Sequence, residues 1–360
     1  MYSLDEIGLI PAEVSDIKHR ADVNPFVKSP FGGEMLPVFV APMTCILNNE
    51  NICTFARSKV EPILPVTSKV WGDRTQLRTD CRWLGWTAMT LDEFKHYFCG
   101  CRAQEDKKYH ILIDVANGHM KELFDVVKDA KQEYGKDLVV MIGNIANPET
   151  YIECCKARVD YVRVGIGGGS GCTTSVQTGI HASIPYLLEG IKTVKDHIHN
   201  YEISASYGML EFNNEEVKNI NGFRTKVVAD GGINTIAKAI KCLALGADYV
   251  MMGQCFAQCE EGTTCVARGH AKDGKVTLEH LYYGQSSKEG QLDRFDFIKS
   301  NPEGLAKWIP VTGTLQDFVN KFEAALRSAM SYCGAHNLEE FIGKVKYEYM
   351  SQAEFGAFIK

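Results

Sequence analysis

The stretch Arg163–Gly179 reads RVGIGGGSGCTTSVQTG. Gly165, Gly167, Gly168, Gly169 and Gly171 free its backbone to take positive φ angles and to turn N–H or C=O groups toward a ligand. Cys172 stands at the tip beside the hydroxyls of Thr173 and Thr174. A loop rich in N–H donors favours thiolate, the nucleophilic form of cysteine. Read alone, the same residues equally describe a flexible glycine turn around a buried thiol. Two more glycine segments follow: ADGGI, with Asp230, Gly231 and Gly232 ahead of the helix-capping Asn234 and Thr235, and MMGQ, with Gly253 and Gln254. Glycine N–H groups and a helix N-terminus hold a phosphate without a cation, so these segments suggest a phosphate-bearing ligand. Tight turns are the alternative. The other cysteines of the thirteen include Cys99 with Cys101, and Cys255, Cys259 and Cys265. Neither group has two matched Cys-x-x-Cys halves, so they read as reduced thiols rather than zinc ligands.

Positioning these segments requires regular elements. Short apolar runs recur at Pro37–Ala41, Pro62–Val66, Leu84–Met89, His110–Asp114, Leu138–Ile142, Tyr161–Gly165, Lys226–Asp230 and Tyr249–Gly253. Helical periodicity separates them, as in Met120–Tyr134 and Thr235–Leu245. Eight such units in one chain suggest a (β/α)8 TIM barrel, with a doubly wound open sheet as competitor. The first strand, PVFVAPMTC, lacks the GxGxxG expected of the open sheet. In a barrel the active site lies at the carboxyl ends of the strands, and the three glycine segments follow strands six, seven and eight. Asp196–Arg224 is polar and reads as an insertion. Glu260–Pro310 reads as a long active-site flap region with a hairpin near Asp273 and Gly274, and Leu315–Ser331 as a closing helix. No composition break divides residues 1–360, so one catalytic domain is expected.

The charge balance, 39 Lys plus Arg against 45 Asp plus Glu, gives a net −6. That argues against bulk binding of nucleic acid and leaves room for a local basic pocket. No stretch approaches a membrane span and MYSLDEIGLI is not a basic leader, so no membrane partner and a cytoplasmic setting are expected.

In order along the chain, LIPAEVSDI, VFVAPMT, GIGGGSGCTT, ADGGI with GADYVMMGQ, YYGQSS, PEG with IPVTG, and ALRSAMSYCGA together resemble the IMP dehydrogenase and GMP reductase family over nearly the whole length. The resemblance implies a purine nucleotide substrate attacked at carbon 2 by Cys172. It implies that Thr174 and Glu303 handle protons around the departing group, and that Asp230 holds the ribose hydroxyls. Ser170, Gly232, Gly253 and Tyr283 would bind phosphate, and Gln285 and Ser286 the base edge, with Gln254 also on the substrate side. The nicotinamide cofactor would run past Lys69, Asp114, Asn117, Gly143, Asn144 and Gly165, Lys69 meeting an anionic phosphate. K+ on the carbonyls of Gly167 and Gly169, and a homo-oligomer, a tetramer, are further implications.

The two branches of the family run related chemistry in opposite directions. IDVANGHM after strand four and the short spacing from YYGQSS to Glu303 are similar to the reductase branch, which uses NADPH to turn GMP into IMP and ammonia. The dehydrogenase branch, IMP to XMP with NAD, carries an Arg-Tyr pair on its flap, where this chain has Arg294 and Phe295. Reductase is the expectation, dehydrogenase the alternative, and a nucleotide-binding protein without turnover the third reading. The chain departs from the family pattern at Gly168, Ser175, Tyr186 and Gln285, and in the 196–224 segment.

Overall fold

The computed structural model describes residues 2–66, 85–99, 108–169, 174–206, 217, 220, 222–269, 276–298, 301–302 and 304–350. Eight parallel strands close a barrel: β1 (Val38–Val40), β2 (Glu61–Leu64), β3 (Trp86–Met89), β4 (Tyr109–Asp114), β5 (Leu138–Ile145), β6 (Tyr161–Val164), β7 (Lys226–Asp230) and β8 (Tyr249–Met252). They pair in chain order, and the seam is β8 on β1, with Val250 opposite Val38 and Met252 opposite Val40. All eight coincide with the apolar runs in the sequence, and the barrel replaces the open sheet.

Period-two alternation sorts each strand's side chains. Val38, Val40, Ile111, Ile113, Val140, Ile142, Val162, Val164, Val227 and Ala229 face outward onto the helices. Phe39, Ile63, Trp86, Leu112, Met141, Tyr161, Val228, Tyr249 and Met251 fill the interior. Phe39 meets Trp86 edge-on at 5.7 Å, and Trp86 meets Tyr161 at 5.3 Å, the offset geometry that ring quadrupoles favour. Burial on both faces is why these strands read as continuous apolar runs.

The helices pack outside. Those used below are α1 (Lys121–Tyr134), α2 (Thr150–Lys156), α3 (Thr174–Thr178), α4 (Ile184–Ser206), α5 (Ile236–Ala244), α6 (Lys288–Phe295) and α7 (Leu315–Tyr332). In α7 the buried Leu315, Val319, Phe322, Leu326 and Met330 make one stripe, and Thr314 with Asp317 forms a capping box at its start. The polar segment read as an insertion at Asp196 is, up to Ser206, a continuation of α4. Leu187, Leu188, Ile191 and Ile198 keep the helical stripe, and the polar residues are its solvated side. The segment read as an unpatterned flap contains β9 (Cys265–Gly269), β10 (Val276–Tyr282) and β11 (Lys307–Pro310), an antiparallel sheet whose first two strands are the expected hairpin. Among the described residues no helix is long and apolar enough to cross a membrane.

The barrel floor is covered by the Val27–Lys28 and Glu34–Met35 hairpin, whose Phe31 packs edge-on to His110 at 4.4 Å. Glu61 is 5% exposed there and accepts from the Ser29 hydroxyl at 3.4 Å. Burial pushes its carboxyl from 4.5 up to about 8. The folded chain therefore keeps a proton on Glu61 up to about pH 8, whereas the unfolded chain releases it near 4.5. Stability from this group is lost as pH rises through that window and is level above it. We expect Glu61→Gln to remove the slope, so that variant-minus-parent stability grows by roughly 1–3 kcal/mol between pH 5 and pH 8. Denaturant midpoints measured across that range check it. A difference that stays constant with pH refutes it.

Candidate active site

At the carboxyl ends of the strands lies a cavity of about 340 Å³. Arg163 on β6 lines it, an interior cation whose side chain is 6% exposed. One guanidinium nitrogen donates to Asp114 at 2.5 Å and to the Gly143 carbonyl at 3.0 Å. The other lies 3.7 Å from Asp230. Asn144 donates from its amide nitrogen to Asp230 at 2.9 Å and to the Gly165 carbonyl at 2.8 Å. The ends of β4, β5, β6 and β7 are thus tied into one polar network. Burial raises the Asp230 carboxyl above the ordinary range, and Arg163 and then Asn144 pull it back. Arg163 was not among the expected site residues. The signal for it was a lone cation inside an apolar strand, which must find carboxylates.

Glycine makes the close approach between β6 and β7. At Gly165, φ is +129°, and a Cβ would stand 2.1 Å from the Asp230 carbonyl oxygen. At Gly232, φ is +74°, and a Cβ would stand 2.5 Å from the Gly168 carbonyl oxygen. Any side chain at either position would force the glycine loop away from the Asp230 turn.

Most of the expected residues meet in this cavity. Asp114, Asn144, Gly165, Gly167, Gly169, Thr174, Asp230, Gly232, Gly253, Gln254, Gln285 and Ser286 all line it. Thr174 opens α3. The Gly167 carbonyl accepts from Ser175 at 3.4 Å. Gln254 accepts from Lys307 at 3.2 Å, and Gln285 donates to the Pro42 carbonyl at 2.6 Å. Gly143 lies just behind the cavity, its carbonyl taken by Arg163. Cys172, Ser170, Glu303 and Lys69 lie outside the described residues.

Two placements differ from expectation. Tyr283 turns its hydroxyl onto Asp293 at 2.6 Å, and burial pushes that phenol up. The residue that lines the cavity is its neighbour Tyr282, whose hydroxyl is 3.1 Å from where a Gly253 Cβ would stand. Adjacent residues on an extended strand point to opposite sides, so one position decides which tyrosine meets the ligand. Asn117 is exposed and accepts the His119 N–H at 3.0 Å, making a local turn, while Val115 and Ala116 line the cavity. A further residue enters from α6. Asp293 also accepts from the Thr44 hydroxyl at 2.9 Å, and this anchor carries Arg294 to the cavity wall with its Nε buried and unpartnered. The thiols at Cys255 and Cys259 are pushed up by burial to about 11 and about 12, so neither offers a thiolate at neutral pH.

Residues 102–356 match the IMP dehydrogenase / GMP reductase domain. The inosine-5′-monophosphate dehydrogenase of Chlorobaculum parvum is 33% identical over 254 residues, 68% of this chain and 45% of the relative. Those of Staphylococcus aureus, 31% over 248 residues, and Nitrosopumilus maritimus, 29% over 251, cover 68% of the chain too, and 45% and 47% of their own lengths. The chain thus spans about half the length of the curated relatives it matches. Because the matched stretch contains the glycine loop, the ends of β7 and β8 and Tyr282 of β10, which build the cavity wall, the chain belongs to the IMP dehydrogenase / GMP reductase family.

Proposed function

We propose that the chain is an NADPH-dependent reductase that converts GMP to IMP and ammonia. The Cys172 thiolate adds to carbon 2 of the purine. The exocyclic nitrogen leaves as ammonia with a proton relayed through Thr174 and Glu303, giving a thioimidate on Cys172. The nicotinamide cofactor, when bound, supplies the hydride that reaches carbon 2 as the thiolate departs. Asp230, oriented by Arg163 and Asn144, accepts hydrogen bonds from the ribose hydroxyls. N–H groups at Gly232 and Gly253, with Tyr282, hold the phosphate at the β7 and β8 ends. The wall formed by Asp114, Val115 and Ala116 and by Asn144 is the face offered to the nicotinamide, and the carbonyls of Gly167 and Gly169 to K+.

The observation that carries the direction is Phe295. Dehydrogenation ends in hydrolysis, which needs a general base, and beside Arg294 this chain has a phenyl ring instead of a phenol. The second reading, IMP dehydrogenase, is favoured by Arg294 itself, which reaches the cavity with an unpartnered Nε, and by the names of the relatives above. Following the absorbance of reduced nicotinamide with GMP plus NADPH, and separately with IMP plus NAD, decides between them. Consumption of NADPH with release of ammonia is expected, blocked in Glu303→Gln. Formation of XMP at a comparable rate reverses the direction, and silence with both nucleotides leaves a binding protein.

A further inference from the structure

A second concavity, about 590 Å³, lies on the outside of the barrel at the opposite end from the nucleotide cavity, where α1 and α2 finish and β5 and β6 begin. Lys128, Lys131, Lys136, Lys156 and Arg158 line it with a single carboxylate, Asp160, and the ring of Phe223 forms one side. Five cations around one concave surface repel one another, and they do so on a chain of net charge −6. Two of them are explained locally. Lys131 lies 2.8 Å from Asp160 and donates to the Leu138 carbonyl at 2.6 Å, and Lys156 lies 2.8 Å from Glu153. Lys128, Lys136 and Arg158 have no carboxylate within ion-pair distance among the described residues.

Arg158 is the most informative of the three. It sits two positions beyond the end of α2 with φ +59°, where helices commonly finish on glycine. An L-residue takes that conformation at a cost that glycine escapes. The side chain kept there places its guanidinium 5.1 Å from the centre of the Phe223 ring, at the edge of the basin.

We propose that this basin binds an oligophosphate anion, with Lys128, Lys136 and Arg158 on the phosphates. A triphosphate has one phosphate group for each of the three uncommitted cations, and Phe223 offers a stacking face to a base if the anion is a nucleotide. The inference is independent of the reaction at the other end of the barrel.

The test is calorimetric titration of the whole chain with inorganic tripolyphosphate and with ATP, at two salt concentrations, beside Lys136→Gln, Arg158→Gly and Phe223→Leu. Both probes should bind and weaken with salt. Lys136→Gln and Arg158→Gly should each lose about tenfold or more in affinity, because each removes a charge-assisted contact. Arg158→Gly should melt no lower than the parent, since glycine adopts its backbone freely, and that separates a lost ligand from a lost fold. Tighter binding of ATP than of tripolyphosphate, abolished by Phe223→Leu, makes the ligand a nucleotide. Equal affinity makes it the bare oligophosphate. Absence of binding by both probes, or affinities unchanged in Arg158→Gly and Lys136→Gln, overturns the site.

Discussion

Cys172→Ala should bind purine nucleotide about as tightly as the parent and turn almost none of it over. Gly169 and Thr174, on either side of the 170–173 segment, both line the cavity at the carboxyl ends of the strands. In the sequence the candidate nucleophile is therefore flanked by residues that line this cavity. In the proposed reaction, without sulfur at carbon 2 the ammonia has no covalent route of departure. A rate loss of about a thousandfold or more corresponds to at least roughly 4 kcal/mol of barrier. Among the described residues that line the cavity none is a cysteine, and Cys45, near Tyr283, is pushed up to about 12 by burial. Nucleotide affinity by calorimetry and single-turnover kinetics check the two halves separately. A variant with near-normal rates would remove Cys172 from the mechanism.

Arg163→Met should be the most destabilising single change at the site. The arginine faces two carboxylates, Asp114 at 16% and Asp230 at 20% side-chain exposure. Methionine fills a similar volume but leaves both acids without their cation. Removing one member of a buried ion network costs about 3–5 kcal/mol, because the remaining charges stay desolvated. A second change should restore part of the loss: Asp114→Asn in the Arg163→Met background removes one of the stranded charges. Chemical denaturation of the parent, both single variants and the double variant measures this as a coupling. If Arg163→Met costs less than about 1 kcal/mol, the two acids are not held by the guanidinium.

The barrel was legible in the sequence because strands buried on both faces leave near-continuous apolar runs, and eight of them recur with helical patterns between. The helix continuing from Ile184 to Ser206 was harder to see, because its stripe is one-sided and its polar side resembles a loop. At the site, glycines and Asp230 were legible because their chemistry is local: a turn or a strand end shows itself in a few letters. Arg163 is not legible in this way because its meaning is non-local. Its carboxylates come from β4 and β7, and only the closed barrel brings those strands to opposite sides of it. The choice between Tyr282 and Tyr283 was illegible for a different reason. It depends on the facing of β10, which is set by pairing with Lys307 and its neighbours on β11, and the adjacent letters are the same.

The seam between β8 and β1 has a bearing on how the molecule is made. During synthesis β1 emerges first, and its Val38, Phe39 and Val40 can pair on one edge with β2, but the other edge has no partner until Val250, Met251 and Met252 have followed. Through that interval the nascent chain carries an open, wholly apolar strand edge, the kind that joins other chains. Translation speed and chaperone supply should therefore affect the yield of native protein in a cell. Slowing elongation once β8 has left the ribosome is expected to raise that yield, because the last strand then has time to dock on β1 before the rest of the chain follows.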